Sequence, residues 1–284
     1  MGPSSRPTPL AVTSMHLVTH PSCRQHGLDW LTKLMLANTD VVLDTYMVPA
    51  AFSSPHSPHV SSAVVVDTSV DGALAFVWQF DMLVDAPMHV VMPHVRQHVV
   101  VPLSECADSP TALPIDPEVD MSFFLSLTMK MQLLAPRMSY MRTPSATGES
   151  AFNRLYREFD ETADGRVVVV GQTMPLDDKF TPNALMTKSM TWIVADRVDG
   201  GARTRIRLVS TSSHTFSAAG DIVPIDDEAR MRGCDVQACP DQVSKVERLA
   251  TQYSATAPVG GYTELLASAA TAALRQQERR RAFA

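Results

Sequence analysis

Four segments in the middle of the chain constrain its fold most, because each has the composition and length of a β-strand. They are Asn153–Asp160, Arg166–Thr173, Lys188–Arg197 and Arg203–Ser213. The first two are joined by Thr162–Gly165 and the last two by Asp199–Gly201, where glycine supplies the positive φ that tight turns require. Two hairpins in this order predict an antiparallel sheet, and helical periodicity after them predicts a helical C-terminus.

Apolar periodicity places further helices and strands around these segments. Leu28, Leu31 and Leu34 recur at helical spacing after Gly27, and Pro49 is expected to end that helix. In contrast, the stretch from Phe123 alternates between apolar and polar side chains, as a half-buried strand does. The other predicted elements are a strand at Ala63–Val66, a helix at Asp71–Phe80, an extended stretch at His89–Val101, a strand from Met138, and helices at Asp241–Tyr253 and Tyr262–Arg281.

Composition divides the chain into three parts. Residues 1–26 are rich in Pro, Ser, Thr and His and are predicted to form a disordered arm. Residues 27–62 form a helix and a linker, and residues 63–284 form the main domain. Two proline-containing stretches, Ser104–Pro117 and Met174–Asn183, are predicted loops. The acidic pair Asp177-Asp178 lies in the second loop and is expected to be solvated.

Charge and composition favour a soluble globular protein. Hydrophobic residues make up 45% and charged residues 19% of the chain, and the net charge of −6 argues against nucleic acid as a partner. No apolar run is long enough for a transmembrane segment, and no secretory h-region follows the N-terminus. The four cysteines have irregular spacing and no C-x-x-C, so they are expected to be free thiols in the cytoplasm.

No signature of catalysis or nucleotide binding occurs in the sequence. The nucleophile elbow, the phosphate-binding loop, the dinucleotide fingerprint and the H-E-x-x-H helix are all missing. His89, His94 and His98 have a spacing that a metal could use on a helix. The segment is rich in valine and interrupted by Pro93, which favours ordinary histidines in an extended stretch. No catalytic residue, metal or cofactor is therefore predicted.

The last of the four strands alternates in an informative way. Arg203, Arg205 and Arg207 point to one side, while Ile206, Leu208, Ser210, Ser212 and His214 point to the other. If the second side faces the interior, it changes from apolar to hydroxyl-bearing along the strand. A ligand cavity with an apolar floor and a few polar anchors has this pattern, and so does a strand that leaves the core.

One known family shows the same elements in the same order. The matching residues are Leu155–Glu158 before an acidic turn, Arg166–Val170, a loop with proline, Met190–Val194 around Trp192, and a long C-terminal helix. In this pattern the chain from Leu125 to Gln277 resembles the START-like (helix-grip) domains, most closely the oomycete M96 mating-specific family. The resemblance implies an α+β fold in which a curved antiparallel β-sheet grips a C-terminal α-helix. Residues 63–284 are then the START-like domain, with an N-terminal helical extension before it.

START-like domains usually enclose an apolar ligand between sheet and helix. The resemblance thus implies non-enzymatic binding of a lipid or other hydrophobic small molecule, which passes one of the two predicted loops. A regulatory protein-interaction module with a closed cavity, and a helix-grip enzyme with His214 as its titrating group, are alternatives. Methionines suit adaptable apolar surfaces, although core filling also accounts for them and for Trp192. The predicted ligand-binding residues are Met129, Met131, Met190, Trp192, Leu208, Ser210, Ser212, His214 and Leu266.

Overall fold

The computed structural model describes residues 16–47, 59–67, 73–96, 130–135, 137–144, 151–161 and 165–256, with helical positions at 271–272, 274–275 and 278–279. The described helices are α1 (Pro21–Ala37), α2 (Thr39–Tyr46), α3 (Met88–Val95), α4 (Ile225–Met231) and α5 (Gln242–Thr256). The described strands are β1 (His16–Leu17), β2 (His59–Asp67), β3 (Ala73–Val84), β4 (Lys130–Ala135), β5 (Met138–Pro144), β6 (Ala151–Glu161), β7 (Arg166–Thr173), β8 (Leu176–Asp177), β9 (Leu185–Met186), β10 (Ser189–Val198), β11 (Arg203–Ser213) and β12 (Phe216–Ser217).

Eight of these strands form one antiparallel sheet, in the order β2-β3-β11-β10-β7-β6-β5-β4. The four strands predicted from the middle of the sequence are confirmed as β6, β7, β10 and β11. Between β10 and β11 the turn has positive φ at Asp199, Gly200 and Gly201, as the sequence predicted. Gly165, which leads into β7, also has a positive φ of 72°. Turn chemistry therefore sets the register of both hairpins.

Each face of this sheet packs against a different set of helices. We call the side that carries Phe80, Val169, Ile193 and Leu208 the inner face. It packs against α3 and, at its Phe76 end, against α4 and α5. The opposite side, with residues such as Val168 and Trp192, is the outer face and packs against α1 and α2. Because both faces are covered, the central strands are apolar on both sides.

The N-terminal helices are an integral part of the fold. Two ion pairs join α1 to the rest of the fold: Arg24 forms a buried pair with Asp177 of β8, and Asp29 forms a partly exposed pair with Arg157 of β6 at 2.6 Å. The helix α1 begins at Pro21, with proline in its first turn. The predicted arm at residues 1–26 is therefore ordered over its described part, 16–26, because burial against the sheet outweighs its polar composition. Likewise β2 begins at His59, inside the predicted linker.

The predicted α+β fold class is confirmed. A large antiparallel sheet carries helices on both faces, and the chain is again helical at its C-terminus. Leu274 of this C-terminal helical segment packs against the apolar cluster of the inner face. This is the contact between sheet and terminal helix that the START-like resemblance implies. The helix predicted at Asp241–Tyr253 is also confirmed: it is α5, at Gln242–Thr256.

The predicted helix at Asp71–Phe80 is wrong, because residues 73–84 form the strand β3. Ala73, Phe76 and Phe80 fit a helical spacing, but they lie in a strand that is buried on both faces. Such a strand is a continuous apolar run, which periodicity alone cannot distinguish from a helix. The aromatic residues Phe76, Trp78 and Phe80 are the signal that favours a strand.

The extended stretch predicted at His89–Val101 is also wrong over its described part. Residues Met88–Val95 form the helix α3, with Pro93 inside it. Its valine-rich composition favours a strand, but Val90, Val91 and Val95 are buried against the inner face. Tertiary burial here outweighs the intrinsic preference of valine.

Candidate functional site

The inner face divides into an apolar half and a polar half. In the apolar half, Val169, Ile193, Leu208 and Phe80 occupy directly paired positions on four neighbouring strands. All four are at most 3% exposed, and α3 and Leu274 pack against their cluster. One half of this face is therefore a continuous apolar floor.

The next row of paired positions on the inner face is polar. It consists of Tyr156, Gly171, Thr191, Ser210 and Trp78, from β6 to β3, and we call it the polar belt. Thr191 Oγ1 lies 2.9 Å from Ser210 Oγ, and both residues are buried. In the following row Ser189 is opposite Ser212, whose partner on β3 is the buried Phe76. The change from apolar to hydroxyl-bearing side chains, predicted for β11, thus extends to the neighbouring strand β10.

The structure brings some of the predicted ligand-binding residues together and separates others. Leu208, Ser210 and Ser212 follow one another along the inner face of β11, and buried His214 lies just beyond it. Met190 and Trp192 lie on the outer face, where the Trp192 indole donates a hydrogen bond to the Met35 carbonyl at 3.0 Å. Of the other three predicted residues, Met131 of β4 is the strand partner of Met141 in β5. Met129 and Leu266 lie outside the described residues.

His214 lies where β11 meets α4. Its Nε2 is 3.8 Å from an oxygen of Glu228, whose side chain is fully buried. Glu228 accepts hydrogen bonds from the Thr215 backbone N–H at 3.0 Å and from Arg232 Nε at 2.9 Å. Burial lowers the pKa of His214, as Arg232 does, and this outweighs the opposite effects of Glu228 and the Val223 backbone. His214 is therefore a neutral histidine held within a structural junction.

The neutral state of His214 makes stability depend on pH. An unfolded chain binds a proton on this histidine at about pH 6.5, whereas the folded chain does so only at lower pH. Its contribution is thus fully present above that pH and is lost as pH falls towards the folded-state pKa. Thermal unfolding of a His214→Gln variant should show a weaker fall in stability between pH 7 and pH 5. His26→Gln, at an exposed position of α1, is the control and should leave the slope unchanged.

The loop predicted at Met174–Asn183 is held at several points. Asp177 binds Arg24 through both carboxylate oxygens and accepts a hydrogen bond from the Tyr140 hydroxyl. The Asn183 side chain exchanges two hydrogen bonds with the backbone of Ala151. Asp177 was expected to be solvated, yet it is 3% exposed, because a distant arginine compensates its charge. This loop is therefore anchored to α1 and β5, while Ser104–Pro117, the other predicted passage, lies outside the described residues.

The described part of the chain contains neither a cluster of metal ligands nor a membrane-spanning helix. No group of three or more His, Cys, Asp or Glu side chains there is arranged to hold a metal ion. Within the same residues, no helix has the length and apolar character needed to cross a bilayer.

Comparison with known proteins gives structural neighbours only. No protein-family model and no curated protein sequence matches the chain. Human StAR-related lipid transfer protein 5 aligns over 79% of this chain and 98% of its own, at 10% identity and a TM-score of 0.37. The lipid transfer and protein localization domain of human StarD13 aligns over 76% and 96%, at 11% identity and a TM-score of 0.32. Zhui aromatase/cyclase from Streptomyces sp. R1128 aligns over 65% and 98%, at 12% identity and a TM-score of 0.32.

Sequence reasoning missed three members of the polar belt: Trp78, Tyr156 and Gly171. Trp78 was assigned to a helix, so its position opposite Ser210 could not be derived. Gly171 did carry a signal, because a glycine inside a strand often marks a close approach of another group. In the structure the Tyr156 ring covers Gly171: a Cβ at this glycine would lie 2.3 Å from the ring.

Proposed function

We propose that this protein binds a lipid or other hydrophobic small molecule, without catalysis, between the inner face and the C-terminal helical segment. The observation that carries the proposal is the division of this face into an apolar floor and a polar belt. A site for an apolar ligand needs a large apolar contact area and a small number of polar groups that orient the ligand. The apolar floor supplies the contact area and the polar belt supplies the polar groups, on the same strands of the sheet.

Native mass spectrometry of freshly purified protein, followed by denaturing extraction and lipid analysis, tests this function. We expect a stoichiometric apolar adduct that disappears on extraction. A bare polypeptide mass, together with no uptake from a mixed-lipid panel, would contradict the proposal.

A bulky residue in the polar belt should block uptake. We expect Thr191→Phe to reduce the bound fraction strongly, because Thr191 is buried at the centre of the belt and a phenyl ring would occupy the position proposed for the ligand. Overpacking also costs about 1–3 kcal/mol of stability, so circular dichroism must first show a folded variant. The same substitution at Thr251, on the exposed side of α5, is the control and should leave uptake unchanged. Normal uptake by a folded Thr191→Phe protein would exclude the belt from the site.

One observation favours a second function, a regulatory interaction module with a closed interior. The apolar floor is already buried by α3 and Leu274 without any ligand. In that case the floor is an ordinary core, and neither adduct nor uptake is expected. Thr191→Phe would then lower stability alone.

A further inference from the structure

The two strands that end the eight-stranded sheet differ in how they are protected against pairing with another chain. The strand β4 has six residues, begins at Lys130, and shifts its register with β5 between Leu133 and Ala135. A short edge strand, a lysine and such an irregularity all hinder the addition of a further strand. In contrast, β2 has nine residues without lysine or proline, and its register with β3 runs from His59 to Asp67 without a shift. The β2 edge therefore lacks this protection.

One side of β2 is unpaired in the described part of the chain. There β2 is the last strand of the sheet order and pairs with β3 alone. The helix α5 contacts β2, but its residues Leu249 and Tyr253 pack in the cluster that contains Phe76 of β3, so this helix lies over the inner face. Alternate N–H and C=O groups of an edge strand point away from the sheet and can bond to a matching strand.

The sequence of β2 is complementary to itself in the antiparallel direction. Ala63 is the middle residue of the strand. A two-fold axis through this position and normal to the sheet places His59 of one copy opposite Asp67 of the other, at both ends of the pair, with all nine residues matched. A shift by one residue would place inner-face positions opposite outer-face positions, and a shift by two would move Asp67 beyond the end of the pair. One register thus satisfies both the faces and the charges.

From this complementarity we infer that β2 is a dimerisation edge, at which a second copy of this chain adds its own β2 antiparallel about Ala63. The two eight-stranded sheets then form one continuous sheet. About eight to ten backbone hydrogen bonds join the copies, two for each hydrogen-bonded pair of residues. Opposite charge types at directly opposed positions, His59 and Asp67, fix the register. No residue of the apolar floor or the polar belt takes part, so the inference is independent of the proposed function.

Sedimentation velocity of the full chain over a concentration series tests the association. An interface of one strand pair is small, so we expect a monomer–dimer equilibrium with a dissociation constant of about 1–100 μM. Asp67→Lys replaces the acid opposite His59 at both ends and should weaken dimerisation by about tenfold. The double variant His59→Glu, Asp67→Lys restores opposite charges and should recover most of this loss. Asp44→Lys, the same change at an exposed position of α2, is the control and should leave dimerisation unchanged.

Hydrogen exchange of the original chain identifies the interface without any variant. Amides in residues 59–67 should exchange more slowly at high than at low protein concentration, whereas those in residues 130–135, at the opposite edge, should not change. A monomer at every concentration, or a dimer that leaves exchange in β2 unchanged, would overturn the inference. Protection of every β2 amide already in the monomer would mean that another segment of this chain occupies the edge, and would overturn it too.

The charge variants test the register separately. An equal loss of dimerisation in Asp44→Lys would show a general effect of charge and would overturn the register about Ala63. The same conclusion would follow if the double variant, shown by circular dichroism to be folded, dimerised no better than Asp67→Lys.

Discussion

Replacing Asp177 by asparagine is expected to lower the free energy of unfolding by about 3–5 kcal/mol, the range for breaking a buried ion pair. The side chains of Arg24 and Asp177 are 5% and 0% exposed, and the pair is bidentate. Without the carboxylate, the guanidinium of Arg24 would remain buried beside the Tyr140 ring without a counter-charge. Urea denaturation at neutral pH measures the loss.

The neighbouring residue provides a matched control. Asp178 is 37% exposed and pairs with exposed His16 at the surface, so Asp178→Asn should change stability by about 0–1 kcal/mol. Arg24→Met should also be strongly destabilising, whereas the double variant Arg24→Met, Asp177→Asn should lose less than the sum of the single losses. Additive losses would show that the two charges do not stabilise each other.

The same carboxylate should produce an acid-dependent loss of stability. Burial alone raises the pKa of Asp177, but hydrogen bonds from Arg24, Tyr140 and the Lys179 backbone outweigh it and hold the pKa below its ordinary value. Its stabilisation is therefore present above about pH 4 and is lost as pH falls through the folded-state pKa. The difference in stability between the Asp177→Asn variant and the original chain should shrink over that range.

Asp177 also illustrates how far the sequence could predict this molecule. The two hairpins and the two faces of β11 follow from local alternation and turn residues, and the structure confirms them. The burial of Asp177 depends on Arg24, which is far away in sequence. A loop acid that binds a distant arginine has the same local pattern as a solvated one, so only the tertiary fold distinguishes them.

The candidate site could also be predicted only within single strands. Strand periodicity correctly placed Leu208, Ser210 and Ser212 on one face. Periodicity within one strand does not give the register between strands, so it could not assign Trp192 to the opposite face from Leu208. Trp78 was missed for a different reason: β3 is buried on both faces and lacks alternation.

Replacing Gly171 by alanine is expected to destabilise the protein and to reduce ligand uptake. The new Cβ would lie 2.3 Å and 2.5 Å from two ring carbons of Tyr156, so the ring must move. Overpacking of this kind costs about 1–3 kcal/mol. Tyr156 is 8% exposed and packs in the inner-face cluster, so its ring can move only by disturbing that cluster next to the polar belt.

A double-mutant cycle distinguishes this clash from a general intolerance of alanine in β7. Tyr156→Ala alone should be destabilising, because it leaves a cavity in the inner-face cluster. In that background Gly171→Ala should have little further cost, since no ring opposes the new methyl group and alanine restricts the unfolded chain more than glycine does. Equal costs of Gly171→Ala in the two backgrounds would mean that Tyr156 is not the obstacle. Loss of uptake in the Gly171→Ala variant, with recovery in the double variant, would place the ligand next to the Tyr156 ring.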